Sequence, residues 1–223
     1  MRIANAKENL IIDFKEGRVP VLALENMRVF SEFVSDIYFQ MNGEDGDIVL
    51  SEGENLLALS RTAVMVCDYF SLDFNQRKIL NVLYKNMQAA AADFTMEKDK
   101  LTEQGINLLD KIVDSLRFDH VEYDFELDWN TLFKAFDVRI EEDYASIPEK
   151  LISFMRICVE LLNLKLLILV GLKAYVSDEE IDEIYKMAAY LKLNLLLIEP
   201  VERRALDQED YYIIDKDRCL IIK

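Results

Sequence analysis

Nine carboxylates fall between Asp119 and Asp143, at positions 119, 122, 124, 126, 128, 137, 141, 142 and 143. Only Lys134 and Arg139 oppose them, a local balance of −7. Carboxylates forced together repel one another unless water or a cation intervenes. Asp124, Glu126 and Asp128 alternate, so an extended segment puts all three on one face. Leu132, Phe133 and Phe136 read as a short amphipathic helix leading back to Glu141. Oxygen donors so arranged suit a hard cation such as Ca²⁺, which takes about six to eight oxygen ligands; the competing reading is a hydrated acidic loop. An EF-hand is excluded, because a loop starting at Asp124 has Trp129 where Gly is required and Ala135 where Glu is required. A calcium site here has to be discontinuous, with ligands from both sides of the 130–136 helix.

Other chemistry is sparsely supplied. Paired carboxylates could do acid–base or two-metal nuclease work, with Lys134 the one nearby cation to handle the attacking water or the phosphate. Glu199 ends the apolar run NLLLIE as a Walker B acid would. However, G-x-x-x-x-G-K-[ST] occurs nowhere and no G-x-G-x-x-G follows a strand, so nucleotide phosphates have no cradle. Glu199 is instead expected to be structural, at a strand end before Pro200. A single histidine, His120, argues against zinc and against Ser-His-Asp chemistry.

The elements that must position these groups come from an ordered, helix-rich composition: 223 residues, 52% hydrophobic, 30% charged, six Gly and three Pro. That length holds one large domain or a core with an insertion. Cys67, Cys158 and Cys219 are too few and scattered for a disulfide framework, so a reduced, cytoplasmic setting is expected. The first residues lack a signal-peptide core, and LLILVGL is far short of the about 18 apolar residues needed to span a bilayer, so no membrane association is expected. A net charge of −16 opposes general nucleic-acid affinity, although the objection concerns the average and not a local patch.

In chain order, RIAN, LIIDF and PVLALE read as short strands, with a turn through Glu16 and Gly17. Asn26 caps a helix whose Met27, Phe30, Phe33, Val34, Ile37 and Met41 recur at helical spacing. NGEDGD is a turn cluster, DIVL a strand, and TAVMVCDYF a candidate buried strand. From Phe74 to Phe118 the spacing predicts a long helical arm, about 60 Å if continuous, with Gly105 the expected place for any break. An arm of that reach suits packing against another chain or against itself. Ser146-x-x-Glu149 and Ser177-x-x-Glu180 are capping boxes. LKLLILVGL, the helix after Ser177 and NLLLIEP then make a βαβ crossover, which implies a parallel sheet. YYIID and CLIIK close the chain.

Taken together, PVLALENMRVFSEFV, AVMVCDYFSLDFNQRKILNVLYKNMQ, DFELD, LFKAFDVRIE, KLLILVGLKAYVSDEEIDEIYKMAAYLKLNLLLIEP and EDYYII resemble one family over nearly the whole length. It is the short accessory protein of type II-A CRISPR spacer acquisition. The resemblance implies an α/β fold: a parallel-sheet head similar to a P-loop ATPase without its nucleotide loop, built from residues 1–73 and 146–223, and an inserted helical leg over 74–145. It further implies a non-enzymatic, Ca²⁺-binding homotetrameric ring that threads double-stranded DNA ends and works with the CRISPR integrase complex and the effector nuclease, without a nucleotide. The family's calcium segment matches Asp124, Glu126 and Asp128, with Glu141 after the LFKAF helix and Glu122 as a further candidate. For the DNA-facing surface, the basic residues on and near the leg are Arg77, Lys78, Lys85, Lys98, Lys100 and Lys111. A tetramer would formally carry −64 before calcium, which gives the acidic stretch a role in letting DNA approach. The alternatives are an acidic protein-interaction scaffold with calcium as a staple, or a metal nuclease or degenerate ATPase.

Overall fold

The computed structural model describes residues 1–117, 120–123 and 127–223. Contacts divide the chain into two units, Met1–Phe74 with Glu142–Lys223, and Asn75–Glu141. Within the first, the Phe74 amide donates to Glu142 Oε1 at 2.9 Å. Within the second, Asn75 exchanges two hydrogen bonds with the Ile140 backbone, at 2.8 and 3.0 Å. Each unit is therefore tied off where the chain enters and leaves it.

The larger unit is mixed α/β. It begins with strands β1 (Arg2–Asn5), β2 (Leu10–Asp13) and β3 (Val19–Leu24), then helix α1 (Met27–Met41). As expected, the Asn26 side chain caps α1, accepting from the Arg28 and Val29 amides. Strands β4 (Ile48–Glu52) and β5 (Asn55–Leu57) complete a separate four-stranded antiparallel sheet, in the order β2-β1-β4-β5. Its alternation buries Ile3, Leu10, Ile12, Ile48 and Leu50 and exposes Ile11 and Val49, as a one-sided sheet should.

The run TAVMVCDYF is only partly strand. Helix α2 (Leu59–Thr62) leads into β6 (Ala63–Val66), and Cys67 is already exposed. The reason is local: Asp68 Oδ1 accepts the Phe70 and Ser71 amides, a turn that takes these donors out of any ladder.

After the second unit the chain forms α6 (Ile147–Leu162), β7 (Leu166–Val170), α7 (Asp178–Tyr190), β8 (Asn194–Glu199), β9 (Glu209–Ile214) and β10 (Leu220–Ile222). The main sheet runs β10-β9-β3-β8-β7-β6, parallel throughout except for β10. The apolar runs of β3, β7 and β8 are buried on both faces, which is why they read as continuous and not alternating. One face packs Leu22, Leu24, Ile168 and Ile198 in a cluster with Val29, Phe33 and Ile37 of α1. Each buried Leu or Ile contributes about 1.5–3 kcal/mol. Ser177 and Glu180 form the complete capping box of α7. At α6 the box is half made: Ser146 accepts from the Glu149 amide, but the Glu149 carboxylate takes the Ala145 amide in place of that of Ser146.

In the smaller unit the long arm is interrupted. Helix α3 (Arg77–Ala90) passes through a 3-10 turn, Ala91–Phe94, into α4 (Thr95–Asp114). The break falls at 91–94, whereas Gly105 lies inside α4. A helical Gly costs only about 1 kcal/mol relative to Ala, while Thr95 competes for the backbone, its hydroxyl donating to the Ala92 carbonyl at 3.1 Å. Helix α5 (Trp129–Ala135) follows, close to the expected 130–136.

Candidate nucleic-acid interface

Helix α3 departs from the rest of this acidic chain. Residues 74–92 contain no Asp or Glu, and hold Arg77, Lys78 and Lys85. Arg77 and Lys78 occupy its first turn, with no acidic residue there. Cations at a helix N-terminus oppose the macrodipole, so this placement works against the helix and concentrates positive potential at its start. Arg77, Asn81 and Lys85 recur at i, i+4, i+8 and share one face.

That face lines an open cleft of about 610 Å³ with α5. Helix α3 supplies Arg77, Asn81, Tyr84, Lys85 and Gln88, and α5 supplies Asn130 and Lys134. Among the described residues no carboxylate lines it, and Arg77, Lys85 and Lys134 make no ion pair. Three cations and four neutral amides, Asn75 among them, in a hollow with no described carboxylate present donors to a polyanion.

Helix α5 has seven residues and would not persist alone. The Tyr84 hydroxyl donates to the Val138 carbonyl at 2.9 Å, and its ring lies 5.6 Å from buried Phe133, which stacks on Trp129 at 6.0 Å. Asp128 caps it: Oδ1 accepts the Thr131 amide at 2.7 Å and Oδ2 the Thr131 hydroxyl at 3.1 Å. The Thr131 amide is the main reason the Asp128 carboxyl is held below its ordinary value.

The expected site residues are thus dispersed. Arg77 and Lys85 enter the cleft; Lys78 shares the first turn of α3 but is not among the lining residues. Lys98, Lys100 and Lys111 lie on α4. Of the calcium candidates, Asp124 and Glu126 lie outside the described residues, Glu122 and Glu141 are exposed, and Asp128 is the cap of α5. Among the described residues no group of three or more His, Cys, Asp or Glu is placed to hold a metal ion. Sequence reasoning missed the amides Asn75, Asn81, Gln88 and Asn130 and considered Lys134 only as the cation beside a nuclease metal. The signal that could have found Asn81 and Gln88 is the carboxylate-free interval 74–92.

The larger unit holds a second charged cluster, and it is closed. Lys173 Nζ donates to Glu209 Oε2 at 2.7 Å, to the Tyr211 hydroxyl at 3.1 Å and to the Arg204 carbonyl at 3.2 Å. Glu209 also accepts from the Tyr185 hydroxyl at 2.6 Å and the Leu206 amide at 2.8 Å. Glu199 is fully buried. Its Oε1 accepts the Lys173 amide at 3.0 Å, and its Oε2 has no hydrogen-bond partner among the described residues. Burial, foremost, pushes its carboxyl above the ordinary value. Where a Walker B acid would face a nucleotide, Glu199 holds the chain that follows β7.

A mixed α/β protein with a parallel sheet, carrying on a helical unit a basic cleft that no described carboxylate lines, is the class these observations define. Residues 40–218 match the model of the family described as CRISPR-associated protein (Cas_Csn2), and the chain belongs to that family. It is 25% identical over 209 residues to CRISPR-associated protein Csn2 of Streptococcus agalactiae, covering 90% of this chain and 89% of that protein. It is 24% identical over 199 residues to CRISPR-associated protein Csn2 of Enterococcus faecalis, covering 88% of each.

Proposed function

We propose that the protein is a non-catalytic, calcium-dependent binder of double-stranded DNA ends that acts in CRISPR spacer acquisition. The observation that carries the reading is the α3/α5 cleft: in a chain of net charge −16, three cations without ion pairs line a hollow free of described carboxylates. Phosphate contacts from Lys and Arg supply most sequence-independent DNA affinity. Residues 75–141 serve as a leg inserted into a head that resembles a P-loop ATPase fold without its nucleotide loop. Calcium binds the acidic stretch 119–143 and offsets its charge as DNA approaches. Four copies close into a ring, and the integrase complex and effector nuclease are its working partners. Self-assembly is supported by α4, which buries none of its residues and exposes Met96, Leu108 and Ile112.

The test is retardation of linear duplex in a gel with Ca²⁺, compared with closed circles and with chelator present. Linear duplex is expected to be retarded, closed circles not, and affinity to fall steeply with salt. Equal binding of closed circles overturns threading. Light-scattering mass with and without chelator reads the assembly, and a monomer at millimolar calcium removes the ring.

A further inference from the structure

Asp128 is close enough to Lys134 for its charge to be felt there, and it heads the short helix that carries Asn130 and Lys134 into the cleft. Both its carboxylate oxygens are engaged by Thr131. A carboxylate beside a polyanion site should be a liability, because its charge repels phosphate. Its presence at that point is accounted for if its work is done through the helix it starts.

We propose that the α3/α5 cleft is a phosphate-backbone subsite and that Asp128 is its positioning residue, seating Lys134 and Asn130 opposite Arg77 and Lys85. This rests on the DNA-binding reading above and adds the parts of the site. Arg77 and Lys85 are eight residues apart on α3, about 12 Å along the axis. At about 3.4 Å of rise per nucleotide, that reach spans about three to four phosphates of one strand. The first turn of α3 adds the positive end of its dipole to Arg77. Asn81, Gln88 and Asn130 supply neutral donors to phosphate oxygens. Tyr84 already donates its hydroxyl to Val138, so its role is to hold the two walls together. The subsite thus reads charge and spacing and not base identity.

Two roles for Asp128 give opposite signs. If the carboxylate acts at the cleft only by its charge, deleting it strengthens polyanion binding. If it acts by capping, deleting it weakens binding, and Asn, which caps as well as Asp, restores it. The probe is inorganic tripolyphosphate with chelator present, titrated into the full chain. The signal is the fluorescence of Trp129, the sole tryptophan, which lies between Asp128 and Asn130. Lys134→Gln and Asp128→Ala are each expected to weaken tripolyphosphate several-fold or more and to lower the slope of log affinity against log salt by about one. Asp128→Asn is expected to match or exceed the parent. Asp128→Ala binding as well as the parent, or Asp128→Asn falling as far as Asp128→Ala, overturns the positioning role. Lys134→Gln without effect overturns the subsite, and that variant leaves the cap intact should Asp128→Ala fail to fold. Linear duplex run on the same proteins separates the two readings. Tripolyphosphate bound through Lys134 with duplex ignored at every calcium level overturns the DNA reading and supports the subsite, whereas duplex bound with tripolyphosphate ignored does the reverse.

Discussion

Lys173 leaves 3% of its side chain exposed and meets Glu209 at 2.7 Å. Arg77, Lys85 and Lys134 stand in an open cleft with no ion pair at all among the described residues. Both groups stand apart from most other charged side chains among the described residues, which are exposed or half-buried. A buried pair is tolerated only when its hydrogen bonds are completed, and here the ammonium and the carboxylate each satisfy three. Cations left together without counter-ions repel one another and oppose the α3 dipole, which is a cost without a structural return. The first arrangement is closed on itself within the fold, and the second is the one on which the proposed polyanion binding rests.

The largest effect that separates the two is expected at Lys173. Lys173→Met leaves Glu209 buried and without its cation, and should cost about 3–5 kcal/mol, read as a large drop in the urea midpoint. Replacing Lys173 and Glu209 together by apolar residues should recover much of that loss. A tolerated single substitution would mean that the cluster is not what holds the 200–208 segment. Next comes Arg77→Gln/Lys85→Gln/Lys134→Gln. Three lost phosphate contacts should lower the salt slope of duplex binding by about 2 to 3, with the unfolding midpoint almost unchanged. If stability falls and the slope stays, the assignment of the two regions is reversed.

How far the sequence carries this contrast differs between the two units. The parallel sheet was legible because β7 and β8 are continuous apolar runs flanking a capped helix, and each rule involved is local. The N-terminal strands were legible as strands, but not as a separate sheet, since Ile3 and Leu50 are brought together by pairing across 47 residues. Of the Lys173 cluster only the structural role of Glu199 at its strand end was legible: Lys173, Tyr185, Glu199 and Glu209 are spread over 37 positions and meet only when β8 and β9 flank β3. In the smaller unit the dense carboxylates of 119–143 drew the reading toward a cation. The quieter signal, an absence of acids over 74–92, held the cleft.

A smaller, pH-dependent effect sharpens the closed side. Burial raises the Glu199 carboxyl above its unfolded value, so folding favours its protonated form. The stability it contributes is fully present below the unfolded value of about 4.3, and it is lost as pH rises through the raised folded value. Glu199→Gln keeps an acceptor for the Lys173 amide and removes the charge. Its unfolding midpoint should therefore match the parent near pH 4 and move above it as pH increases. A variant that instead loses stability at neutral pH would show that Glu199 is ionised and held by Arg203, whose Nε stands 3.9 Å from Oε2.

The smallest effect is expected on α4, and it bears on what makes a basic patch. Lys98, Lys100 and Lys111 are as cationic as the residues of α3, but the same helix carries Glu97, Asp99, Glu103, Asp110 and Asp114, so its balance is −2. At about 10 Å of screening length near 0.1 M salt, a phosphate approaching Lys98 or Lys100 also meets the field of Glu97 and Asp99. The attraction largely cancels. Neutralising Lys98, Lys100 and Lys111 together should change the salt slope of duplex binding by less than the single Lys134→Gln does. Should the α4 triple variant lose as much slope as the cleft triple variant, the count of lysines, and not the absence of neighbouring carboxylates, decides where the polyanion lies.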